Sequence, residues 1–142
     1  MAIDYEDISQ AIVDLLQDAI PAAAVLMEPS EVGSTTGAEI GVTLTGEENF
    51  EENIGSADPY QTTLRFSLLC TEYSVDGVLE AIKKRNVLVN LVRQAVKEDS
   101  GRNLSGKVDW TQLGRIEYET AQGETADFWA AANIELLVTL MA

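Results

Sequence analysis

Residues 60–98 read YQTTLRFSLLCTEYSVDGVLEAIKKRNVLVNLVRQAVKE, and the hydrophobic period changes once along them. From Tyr60 to Thr71 the period is two. Tyr60, Thr62, Leu64, Phe66, Leu68 and Cys70 share one face, and Gln61, Thr63, Arg65 and Ser67 share the other. The first face is larger and more apolar, so it is the expected core face of a strand. Residues 76–98 switch to helical spacing, with a stripe of Val78, Ile82, Val89, Val92 and Val96. Ser74 or Asp76 is the expected N-cap, Lys97 suits the negative end of the helix dipole, and Gly101 is the expected stop. A strand with one apolar face needs a cover, and a helix with one apolar stripe supplies it.

Working outward, residues 4–20 predict a first helix, with Ile8, Ile12, Leu15, Leu16 and Ala19 at helical spacing, Asp4 as cap and Pro21 as stop. Residues 22–28 predict a short strand and 29–37 a turn. Ile40, Val42 and Leu44 alternate with polar positions, as in a half-buried strand. Residues 45–59 carry five carboxylates and predict a long exposed acidic loop. After the second helix, residues 99–106 predict a polar turn. Residues 107–120 read as one strand or two short ones, followed by a turn over 121–127. A last strand over 129–141 turns Ile134, Leu136, Val138 and Leu140 inward. The expected fold is a single α+β domain spanning residues 1–142, a two-layer sandwich. Its mainly antiparallel sheet has four to five strands with two helices on one face, in the order α-β-β-β-α-β-β.

Charge is the other strong pattern. The chain has no histidine, and all nine of its bases lie between Arg65 and Arg115. Residues 1–64 hold thirteen carboxylates and no base, and residues 116–142 hold five and no base. The net charge is −15, but 46% of the residues are hydrophobic, so the chain is expected to fold rather than stay disordered. Acidic flanks around a basic band suit head-to-tail contacts between copies.

The same composition argues against catalysis. Acid–base and nucleophilic triads most often need histidine. Neither a Gly-x-Ser-x-Gly elbow nor a phosphate loop is present, and the usual zinc ligand sets are missing. The acidic loop lacks the residue order of a calcium loop. A carboxylate-only enzyme would need an aromatic-rich cleft, for which the chain is poor. The single cysteine, Cys70, falls on the expected core face and reads as structural. We expect no enzyme activity, cofactor or metal. The opening residues are acidic where a signal peptide would be basic, and the longest apolar run, Ala19 to Met27, is interrupted by Pro21. A membrane span needs about 20 apolar residues. The expectation is a soluble protein made in the cytoplasm. An acidic surface would repel nucleic acid rather than grip it, yet would let it slide past.

Two clusters stand out as candidate contact sites. The first is Lys83-Lys84-Arg85. Arg85 falls within the apolar arc of its helix, so either its stem runs along the core edge or its guanidinium reaches a carboxylate on a neighbouring subunit. The second is the acidic loop, where Phe50 and Ile54 sit among Glu47, Glu48, Glu51 and Glu52. It reads either as an ordinary loop or as a contact point for a partner.

The order of elements resembles the tail terminator, or tail completion, proteins of long-tailed bacteriophages (the lambda minor tail protein U group). The shared features are an amphipathic first helix ending at a proline (Ile12 to Pro21) and paired strands with a variable loop (Ala38 to Thr71). A central helix (Val75 to Glu98) and a closing strand (Phe128 to Met141) complete them. The resemblance implies a homo-hexameric ring at the head-proximal end of the virion tail, assembled in the host cytoplasm. Such a ring caps the tail tube, stops its polymerisation and meets the head connector or neck protein. Its partners would be copies of itself, the major tail tube protein and the connector, with DNA passing through the lumen without specific binding. No catalytic residue comes with the resemblance. The alternatives are a neck or head-completion protein of the same virion, or an acidic DNA mimic that inhibits a nucleic-acid-binding enzyme.

Overall fold

In the computed structural model, which describes residues 2–27, 37–50, 61–122 and 128–141, the period change in residues 60–98 becomes a strand followed by a helix. In chain order the elements are helix α1 (Tyr5–Ala19) and strands β1 (Ala24–Leu26), β2 (Glu39–Phe50) and β3 (Gln61–Ser74). Helix α2 (Val78–Glu98), a 3-10 turn (Ser100–Arg102) and strands β4 (Trp110–Gln122) and β5 (Phe128–Met141) follow. The protein is α+β, with two helices, a five-stranded sheet and the element order expected from the sequence.

The sheet order is β1-β2-β3-β5-β4. Strand β1 runs parallel to β2, and every other pair is antiparallel. Strand β3 lies at the centre. It pairs with β5 from Gln61↔Met141 to Ser74↔Phe128 without a break. On its other side it pairs with β2 from Glu39↔Thr71 to Phe50↔Gln61. Leu64, Phe66, Leu68 and Cys70 on its core face have no exposed surface. Ile40 and Val42 of β2 and Ile134, Leu136 and Val138 of β5 join them, because residues opposite one another in a ladder point to the same side.

Both helices cover that one face. Helix α1 packs on β1 and β2 through Ile8, Ile12 and Leu16, and α2 packs on β3, β5 and β4; the helices also touch each other. Asp4 caps α1 as expected, its Oδ1 accepting from the Asp7 amide at 3.0 Å. Gln17 ties α1 to β1: its Nε2 donates to the Ala23 carbonyl at 2.8 Å, and its Oε1 accepts from the Val25 amide at 3.3 Å.

Several sequence expectations need correction. Residues 45–50 are strand, not loop, because β2 continues to Phe50 against β3; residues 51–59 lie outside the described residues. A register shift between Leu44 and Gly46 bends β2 there, and Leu44 is left 38% exposed at the rim of the core. The buried stripe of α2 is also rotated from the expected one. It consists of Ala81, Arg85, Leu88, Val89, Val92, Ala95 and Val96, with Val78 exposed and Ile82 at the margin. The fully buried Ala130 and Ala132 of β5 are small, and with Ala81 they let the helix settle close to the sheet. Neither Ser74 nor Asp76 caps α2. Gly77 does, at φ 119°, while Ser74 Oγ accepts from the Asp76 amide at 3.0 Å. Gly101 lies in the 3-10 turn beyond the helix end, at φ 72°, where glycine is favoured. The two readings of residues 107–120 resolve into one strand, β4, with a register shift between Leu113 and Ile116.

Two outcomes test this core. Phe66→Ala should cost about 3–5 kcal/mol in equilibrium urea unfolding, because the fully enclosed ring leaves a cavity. Burial also pushes the Cys70 thiol up to about 12. At neutral pH a thiol reagent should therefore label Cys70 only through unfolding, with rapid labelling once denaturant is added.

Candidate functional site

The three consecutive bases of α2 do not form one patch. Lys83 pairs with Glu80 at 3.3 Å on the exposed face. Lys84 Nζ turns back and donates to the Tyr73 carbonyl at 3.2 Å. Arg85 is buried, with 7% of its surface exposed. Its Nε and Nη2 donate to Asn86 Oδ1 at 3.2 and 3.0 Å, and its guanidinium carbon lies 4.6 Å from the centre of the Tyr118 ring on β4. Stacking on the ring keeps the cation at the core edge, with no acidic partner among the described residues.

The residues expected in an acidic loop are also separated. Because side chains alternate along β2, Glu47 points to the helix side and Glu48 to the open face of the sheet. Glu47 Oε1 accepts from the Tyr5 hydroxyl at 2.6 Å, and this bond raises the tyrosine pKa. Glu48 forms an ion pair with Arg65, and Arg65 Nη1 reaches Glu135 Oε2 at 3.3 Å. Those carboxylates raise the Arg65 pKa, so the guanidinium stays charged. Gly114 fits against Glu135 where the register of β4 shifts, and a Cβ there would collide with that carboxylate. Phe50 is 49% exposed at the end of β2. Glu51, Glu52 and Ile54 lie outside the described residues.

What the sequence reading missed is a basic groove between α2 and β4. One section, about 370 Å³, is lined by Arg85, Asn86, Asn90, Arg93 and Tyr118 among others. The next, about 580 Å³, shares Arg93 and continues past Lys97, Arg102 and Gln112. Glu98 lies on the same wall and accepts from Gln94 Nε2 at 3.0 Å. Among the described residues, Arg93, Lys97 and Arg102 have no ion pair, and Arg85 Nη1 has no partner. The available signal was the i,i+4 spacing of Arg93 and Lys97.

The opposite charge gathers on α1. Asp7, Asp14 and Asp18 lie on the helix face turned away from Ile8, Ile12 and Leu16. Asp14 and Asp18 are exposed, whereas Asp7 pairs with Lys107 at 2.9 Å. Since α1 covers β1 and β2 while the groove borders β4, the exposed acids of α1 and the unpaired cations of the groove sit toward opposite edges of one sheet, although β4 itself also carries Glu117 and Glu119. Among the described residues there is no group of three side chains placed to hold a metal ion, and no helix is long and apolar enough to cross a membrane.

Glu72 gives a pH test beside the N-terminal half of α2. Burial raises its pKa, opposed by the nearby Lys84 charge. Its charged form is disfavoured in the folded state, so its stabilising contribution exists at low pH and is lost as pH rises through the raised value. Glu72→Gln should therefore raise the urea midpoint at pH 7, and the gain should vanish as pH falls below the carboxylate range. No protein-family model matches this chain, and neither does any curated protein.

Proposed function

We propose that this protein is a structural virion component that works by fitting against copies of itself. It forms a closed, hexameric ring on the head-proximal end of a phage tail tube, after assembly in the host cytoplasm. The ring stops tube polymerisation and offers a joint to the head connector, and DNA passes through its lumen without being gripped. The observation that carries this reading is the charge polarity of the sheet. An acidic helix lies toward the β1 edge and an open basic groove toward the β4 edge. A contact between unlike surfaces is heterologous and repeats head to tail, and it closes into a ring when the rotation between subunits divides a full turn. The element order shared with tail terminators supports the specific role. An acidic DNA mimic would have no use for an open basic groove on the same small domain.

The ring makes two predictions. In low salt, light scattering should report a discrete multiple of the 15.4 kDa chain mass, and electron microscopy should show closed rings. Association should weaken strongly between about 0.1 and 1 M salt, as the screening length falls from about 10 to 3 Å. In the tube assay, the cognate tube protein polymerised with this chain in excess should give tubes of limited length. Unlimited growth would overturn the terminator role. A stable monomer or dimer that displaces DNA from an enzyme would favour the mimic.

A further inference from the structure

We infer that the groove between α2 and β4 is the socket for helix α1 of the next copy, with Asp14 and Asp18 of that copy against Arg93 and Lys97. The assignment rests on the ring reading and names the surfaces that would join its subunits.

Three observations carry it. The groove has cations to spare: Arg93, Lys97 and Arg102 are unpaired among the described residues, and buried Arg85 keeps Nη1 free. A buried guanidinium with an unused donor edge on a groove wall is suited to a carboxylate, which can accept two bonds from it. The acids on α1 also match in spacing. At 1.5 Å rise per residue, Asp14 and Asp18 are about 6 Å apart along the axis, as are Arg93 and Lys97. Asp7 lies about 10 Å further along α1, and Arg85 about 12 Å further along α2, so a parallel approach brings the Asp7 end toward Arg85. Finally, the acids stand on a helix held by its buried face and by the Gln17 clamp to β1, so they are presented on a rigid element. Groove and helix belong to different edges of the sheet, so one subunit can offer both at once.

The test is a pair of charge reversals mixed together. Arg93→Glu/Lys97→Glu removes the socket and keeps the acidic helix. Asp14→Lys/Asp18→Lys removes the acids and keeps the socket. All four positions are exposed, so each variant should melt like the wild type. Each alone should lose the wild-type oligomer in sedimentation at low salt. An equimolar mixture should recover the oligomer with the two variants alternating, because each acidic surface of one variant meets a basic surface of the other. Full-size rings from either variant alone would overturn the assignment while leaving the ring reading intact. If only the groove variant loses association, the acid comes from elsewhere and α1 is not the occupant. A wild-type chain that stays monomeric in low salt would also overturn it. If the mixture pairs but the wild type grows open filaments, the socket stands and the ring reading fails.

Discussion

The pairing of β3 along its length, with β5 on one side and β2 on the other, is the constraint on which the rest of the molecule depends. It places Leu64, Phe66, Leu68 and Cys70 on one face in a row with no exposed surface. A slip of one residue would exchange that row for Thr63, Arg65, Ser67 and Leu69, burying a charge and two hydroxyls. The register is therefore held by the core itself. Helices α1 and α2 cover the side where those residues point, and the polar side of β3 is left for Arg65 and its two carboxylates.

Charge polarity follows from the threading of the chain through this sheet. The acid-rich first third builds α1, β1 and β2, which occupy one edge. The base-rich middle builds α2. Strand β5 then inserts beside β3, so β4 becomes the opposite edge and borders the groove. Linear segregation of charge becomes spatial segregation because the last strand takes a central place and the acidic and basic helices sit over different strands. Tyr118 has a double part at that edge: its ring holds the Arg85 guanidinium by stacking and forms part of the groove wall.

Element types were legible wherever a clean period ran for several residues, as in Ile8 to Leu16, Thr62 to Cys70 and Ile134 to Val138. Legibility failed where a partner made the decision. Residues 45–50 look like loop because they are acidic, yet pairing with β3 holds them in strand, with Arg65 beside Glu48. The contact arc of α2 was misplaced because its valines stand out in the sequence. Approach to a sheet is limited by bulk, and the small Ala81 and Ala95 face inward. Lys83, Lys84 and Arg85 look like one basic cluster, but successive helical residues diverge by about 100°, and each found a different environment.

By itself the sequence determined the period of α1, β3, α2 and β5, the single apolar face of the sheet and the confinement of bases to the middle of the chain. Those are properties of local order and composition, readable without knowing what lies alongside. Only the tertiary structure decided which cations stay unpaired among the described residues, that Arg85 rests on Tyr118, and that Arg93, Lys97 and Arg102 share one groove beside β4, across the sheet from the strands that α1 covers. These depend on strands distant in sequence becoming neighbours, and on the side chains that hydrogen bonding and packing leave without partners.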